Sequence, residues 1–204
     1  MKKDVAIRII TDCAKEYREN LVNQNLLFVC GTAQNVDFFE VLCSSQNYKH
    51  LTGATILDKS ITNQDFYDMC INGKLSIGDF ELKKDGTTQL KLSVLHQVTN
   101  IHRTARMVGE YGSQRLMLNS EKLAGSVSAC LGFVKPRNLK GFYVPNTVLS
   151  ADIREVVQKP VKKVLAIFRK TRDARRYLAC TYLSKGSDLD SVTSHPSLKN
   201  KFSL

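Results

Sequence analysis

The stretch VKKVLAIFRKTRDARRYLACTYL, residues 161–183, holds two apolar runs around a charged turn. Val164–Phe168 is β-branched and aromatic with no helix-like gap, and Tyr177–Leu183 repeats that character after KTRDAR. Two such runs around a short polar connection read as a central antiparallel strand pair. Upstream, 141–149, 122–135 and 105–118 carry the same signature, as do 161–170 and 175–184 around the pair itself. The late part of the chain therefore reads as an antiparallel sheet.

Further upstream the period changes. Over residues 3–23, Val5, Ile9, Ile10, Cys13, Tyr17 and Leu21 recur at near-helical spacing with charges between them. Asn25–Gly31 reads as a short buried strand. Asp37–Ser44 reads as a second strand, paired to the first across TAQNV, with helix as its alternative. Residues 46–53 read as a polar loop. A helix begins at Thr62, a suitable N-cap, and ends near Gly73. Another spans Thr87–Arg103, with Leu90, Val94, Leu95, Val98 and Ile101 on its apolar face. The pattern gives an α+β fold, N-terminal helices packed on a C-terminal antiparallel sheet. It divides into an N-terminal helix (1–24), an α+β domain (25–185) and a flexible, basic and polar tail (186–204).

The chain has 204 residues, with 30 Lys+Arg against 19 Asp+Glu and a formal net charge of +11. At 43% hydrophobic it is long and apolar enough to bury a full core, which excludes wholesale disorder. Its longest apolar runs are far too short to span a bilayer, and a secretory leader is not expected. Location in the cytoplasm is the expectation. The charge is uneven: residues 1–100 hold 11 basic and 12 acidic side chains, residues 101–204 hold 19 and 7. The densest stretch, Arg154–Arg176, carries nine basic residues against Glu155 and Asp173. A located basic surface points to a polyanion, by default a nucleic acid. Lys162, Lys163, Arg169, Lys170, Arg172, Arg175 and Arg176 are its backbone-binding candidates, and Lys49 is another.

Motifs exclude several chemistries. The six cysteines are at least 13 residues apart, so no zinc-knuckle spacing occurs, and they read as buried free thiols. No HExxH, phosphate-binding loop, GxGxxG or GxSxG is present, so no metal and no cofactor is expected. RNA can be cleaved without metal because its own 2′-hydroxyl is the nucleophile. Such a site needs a base, an acid and cations for the phosphorane, and histidine suits the first two roles near neutral pH. Of four histidines, His50 sits in a polar, cationic context. His96 and His102 read as structural and His195 lies in the tail. Tyr143, Tyr177 and Tyr182 read as half-buried strand residues.

The stretches NYKHLTG (47–53), QDFYDMCINGKLS (64–76), TTQLKLSVL (87–95) and YVPNTVLSADIR (143–154) resemble the phage Barnase–EndoU–colicin–RelE-like nuclease families. These are small domains of phages and mobile elements of Gram-positive bacteria, and the resemblance covers roughly residues 25–185. It implies a metal-independent RNase-like fold with its site on the sheet face. His50 and Thr52 match the polar positions of the first motif, and Asn146, Thr147, Asp152 and Arg154 those of the last. His50, Thr52 and Arg154 are then the catalytic candidates, with Arg154 on the phosphate. Thr52–Gly53 also reads as turn chemistry, and Asp152 with Arg154 as a cap and a surface ion pair. The expected function is RNA cleavage without metal. The alternative is a non-catalytic inhibitor of a host defence ribonucleoprotein, anti-CRISPR-like, binding its nuclease or guide RNA. A structural DNA-binding protein is a third reading.

Overall fold

A computed structural model describes residues 1–32, 35–112 and 119–202. In chain order the elements are α1 (Lys3–Asn20), β1 (Gln24–Gly31), β2 (Val36–Leu42), α2 (Tyr48–Thr52), β3 (Thr55–Ile56), α3 (Asn63–Ile71), β4 (Phe80–Glu81), α4 (Thr87–Thr99) and α5 (Ile101–Thr104). There follow β5 (Met107–Glu110), β6 (Lys122–Gly125), β7 (Cys130–Val134), β8 (Phe142–Leu149), α6 (Ile153–Val156), β9 (Lys162–Thr171), β10 (Ala179–Leu183), α7 (Leu189–Thr193) and α8 (Lys199–Phe202). The fold is α+β. No helix of the described residues is long and apolar enough to cross a membrane.

The large sheet runs β1-β2-β8-β7-β6-β5-β9-β10, and β9 also pairs with β1. Seven strands thus close into a ring, with β10 appended to β9 as an edge strand, so of the pair expected to be central only β9 is. The ring has two thin seams. One is parallel, β2 against β8, with Glu40 opposite Phe142 and Val41 opposite Tyr143. The other joins β5 to β9 at Met107–Lys163 and Val108–Lys162. Strand β1 is central because it is apolar on both faces. Leu26, Phe28 and Cys30 face the helices, while Leu27 and Val29 face the C-terminal segment. Strand β9 follows this alternation, with a register shift opposite Val29/Cys30 that accommodates Leu165 as an extra residue.

The helices fill the inner face of the curled sheet. In α1, Ala6, Ile10, Cys13, Ala14 and Tyr17 are buried at helical spacing, with Asp4 in its first turn and Arg18 in its last. They pack in one core with Phe66 of α3 and Leu92, Leu95 and Val98 of α4. Residues 1–24 are therefore part of the domain core and not a separate unit. The expected cap of α3 is present: Asp65 N–H donates to Thr62 Oγ1, and Thr62 N–H donates to the Asp65 carboxylate.

Several expectations are corrected. The single strand expected over 122–135 is the β6–β7 hairpin. Its tight turn needs Gly125, where an added Cβ would lie 2.2 Å from the Ala129 carbonyl oxygen. Residues 46–53 form a short helical segment and not a loop, because Tyr48 and Leu51 are drawn into the core. On α4, Leu90 is exposed, and Thr88 and Leu92 take the buried positions. Of the expected strand 105–118, β5 occupies 107–110, and residues 113–118 lie outside the described residues. The tail expected to be loose folds onto the outer face of β1 and β9. Val192 and Leu198 are buried there, and the rings of Phe202 and Phe168 meet at 4.6 Å. A few apolar residues in a polar stretch suffice, since the sheet face beneath them is itself apolar.

Candidate functional site

The C-terminal end of α2 carries His50. The helix stops at Gly53 in the left-handed conformation, φ 69°. Thr52 is fully buried: its hydroxyl donates to the Lys49 carbonyl at 2.8 Å and accepts from Ala54 N–H at 3.2 Å. It therefore builds the turn and does not reach the cleft beside it. Helix α4 clamps that turn from the other side. Thr88 Oγ1 donates to the Gly53 carbonyl at 2.9 Å and accepts from Lys83 N–H at 3.0 Å. One turn on, the stem of Lys91 runs over Gly53, where an added Cβ would lie 2.8 Å from Lys91 Cδ. The Lys91 ammonium donates to the His50 carbonyl at 3.0 Å.

These residues open onto a cleft of about 370 Å3, lined by Lys49, His50, Gly53, Ala54, Lys83, Lys91, Asn119, Asn146 and Thr147. Among the described residues, three lysines and a histidine line it, and no carboxylate does. Asn146 is held by donating to the Asn119 carbonyl at 2.6 Å, which leaves its Oδ1 for another partner. On the rim, Asn63 Nδ2 meets His50 Nε2 at 3.3 Å, so Nε2 is the acceptor nitrogen of a neutral ring. Partial burial, then the charges of Lys49 and Lys91, hold the His50 imidazole below its ordinary pKa. Burial and the neighbouring Lys83 bring Lys91 down to about 8. The cleft thus presents a neutral imidazole beside an ammonium that can release its proton near physiological pH, in a field suited to an anion.

A family model described as phage-Barnase-EndoU-ColicinE5/D-RelE like nuclease 4 matches residues 9–186. The chain belongs to this family. The match runs from α1 through β10, so this nuclease-like unit holds the whole strand ring and the His50 cleft. No curated protein and no solved structure matches the chain.

The sequence-based candidates of this phage nuclease family member separate into groups. His50, Lys49, Asn146 and Thr147 converge on the cleft. Arg154 does not line it. It sits on α6, whose Ile153 and Val156 pack with Leu123 and Cys130, and its guanidinium grips Asp152 from Nε at 3.0 Å and from Nη2 at 2.5 Å. Asp152 is also the N-cap of α6, accepting from Arg154 N–H at 2.9 Å. The pair is the cap and surface ion pair of the plainer reading.

The basic stretch also lies outside the cleft. Lys162 pairs with Asp37 at 2.6 Å and Lys163 donates to the Lys185 carbonyl. Arg169 reaches the Asn20 carbonyl, and Lys170 lies over the Tyr177 ring at 4.7 Å. Arg172 and Arg175 are exposed, and Arg176 is half-buried. Cys13, Cys30, Cys43, Cys70 and Cys130 are buried, which pushes each thiol up to about 12; Cys180 is exposed. Among the described residues, no cluster of three His, Cys, Asp or Glu side chains could hold a metal ion. Sequence reasoning missed Lys83, Lys91 and Asn119. Lys91 carried a faint signal, a lone charge between Leu90 and Leu92, three residues after Thr88 and so on the same helix face.

Proposed function

We propose that the His50 cleft is the centre of a metal-independent endoribonuclease. The observation that carries this reading is a neutral imidazole held among three lysines in a cleft with no lining carboxylate. His50 accepts the proton of the RNA 2′-hydroxyl through Nε2, where the substrate hydroxyl replaces the Asn63 amide as the donor. The 2′-oxygen attacks the adjacent phosphorus and the 5′-oxygen leaves, taking a proton from the Lys91 ammonium. The products are a 2′,3′-cyclic phosphate and a free 5′-hydroxyl. Lys49 and Lys83 hold the charge that builds on the non-bridging oxygens, and Asn146 adds a neutral contact. Arg172, Arg175 and Arg176 serve as an outlying contact for the RNA backbone.

Incubation of the purified protein with RNA in EDTA tests this. Chains ending in a 2′,3′-cyclic phosphate are expected, with the rate falling by about 100-fold or more in His50→Ala. Absence of cyclic product across varied RNAs, or an unchanged rate in His50→Ala, overturns the assignment. Tight RNA binding without cleavage in the wild type would instead favour the non-catalytic reading, in which the protein occupies a host defence ribonucleoprotein.

A further inference from the structure

We propose that the open edge of β10 is a docking site for an extended, acid-flanked segment of a partner polypeptide, which adds to the large sheet as a further strand. Every other strand of that sheet lies between two neighbours, and β10 has β9 alone. Ser184 N–H donates to the Leu165 carbonyl at 2.8 Å and so faces β9, and the alternation of an antiparallel ladder turns the Leu183 N–H the other way. Natural sheet edges are blunted by charged residues or proline. The stretch Tyr177–Leu183, YLACTYL, holds neither. Leu178, 86% exposed, stands in solvent on it, as do Cys180 and Leu183. A register shift between Cys180 and Tyr182 bulges the strand, which limits the edge to a short pairing.

Charge decides the occupant. Arg176 precedes the stretch and Lys185 follows it, Arg169 lies opposite Ala179 on β9, and the Arg106 guanidinium lies over the Tyr182 ring at 4.3 Å. Arg103 is exposed on α5, where the His102 carbonyl accepts from Thr181 Oγ1. Among the described residues none of these five cations forms an ion pair. A second copy of the chain fits poorly, because antiparallel self-pairing about the middle of the strand sets Arg176 of one copy beside Lys185 of the other. RNA answers the cations but leaves the apolar side chains and the backbone edge without partners. A polypeptide strand answers all three. Its main chain pairs with Leu183, its apolar side chains meet Leu178 and Leu183, and carboxylates at its two ends meet the cations. None of these residues lines the His50 cleft. Arg176, assigned above to the RNA backbone, is covered by the segment, so the two exclude each other at that end.

The test does not depend on cleavage. The full-length protein is titrated with a capped peptide in which glutamate pairs flank alternating valine and threonine, and hydrogen exchange is followed at the Leu183 amide. Saturable protection of Leu183 is expected, because an added strand bonds that N–H. The same peptide with lysines for glutamates is expected to bind about tenfold or more weakly, and one with prolines for the threonines to give no protection. Arg176→Glu combined with Lys185→Glu is expected to weaken the acidic peptide by about tenfold and to reverse the preference between the two charge forms. No protection up to about 1 mM acidic peptide overturns the proposal. So do equal binding of the lysine peptide and protection by the proline peptide. Protection that rises with protein concentration alone, together with a dimer in sedimentation, assigns the edge to a second copy instead. Protection by oligouridine at lower concentration than by the peptide assigns it to RNA, and either result likewise overturns the proposal.

Discussion

His102 is fully buried on α5, and neither ring nitrogen has a hydrogen-bond partner. Burial, then the charges of Arg103 and Arg169, push its pKa down to about 4. The unfolded chain binds the proton near the ordinary 6.5, so the folded state is unaffected above that value. Through His102 it loses stability as pH falls from about 6.5 to about 4, by up to about 3 kcal/mol. Urea unfolding at pH 7, 5 and 4 is expected to show this slope, and His102→Leu to flatten much of it. A slope unchanged in the variant would assign the acid sensitivity elsewhere. The sequence marks both His102 and His50 as histidines beside basic neighbours, and their roles differ because one ring packs inward and the other lies on a rim. That distinction depends on which helix face meets the core, and α5 is too short to display a period. The same limit hid Lys91, whose meaning depends on a glycine 38 positions earlier.

At the scale of elements, the α2 turn and the first turn of α4 form one unit. Gly53 supplies the left-handed residue, Thr88 locks its carbonyl, and Lys91 passes over the space a side chain would fill. Gly53→Ala is expected to cost about 1–2 kcal/mol from backbone strain alone, read by thermal or urea unfolding. It should also displace Lys91 and lower the rate of RNA cleavage, while Gly73→Ala, where nothing crowds the added Cβ, should not affect cleavage. Equal loss of cleavage in both variants would contradict the coupling. Element type was well encoded where a period is long, as in α1 and the β9–β10 pair, or a cap is clear, as in α3. It was obscured in residues 46–53, where a five-residue helix surrounded by polar side chains has no visible repeat. Thr52–Gly53 forms a turn, and the buried Thr52 hydroxyl is taken up by the Lys49 carbonyl and Ala54 N–H of that turn.

At the scale of the molecule, the C-terminal segment is a second layer on the sheet. Glu40 of β2 is buried, accepts from Tyr177 Oη at 2.9 Å and pairs with Lys201 of α8. A chain ending after Ser187 would expose Leu27, Val29 and Phe168 and leave Glu40 without its cation. Losing one partner of a buried pair alone costs roughly 3–5 kcal/mol. The shortened chain is expected to melt at least about 10 °C lower, and an unchanged melting temperature would show the segment to be dispensable. Composition pointed to a disordered end here because it counts residues and not the surface they meet. The net charge was likewise an imperfect guide. The basic excess belongs to the C-terminal half, yet Lys49, Lys83 and Lys91 of the cleft come from the nearly neutral N-terminal half. The closing of the ring also sets a timetable for synthesis. Strand β1 finds β2 at once, but its other edge waits for β9, with Leu27 meeting Phe168 some 140 residues later. At about 5–20 residues per second that is roughly 7–28 s of translation with an apolar edge unsealed. So long-range a closure makes the fold a slow one to complete, and leaves the nascent β1–β2 hairpin open to aggregation until β9 arrives.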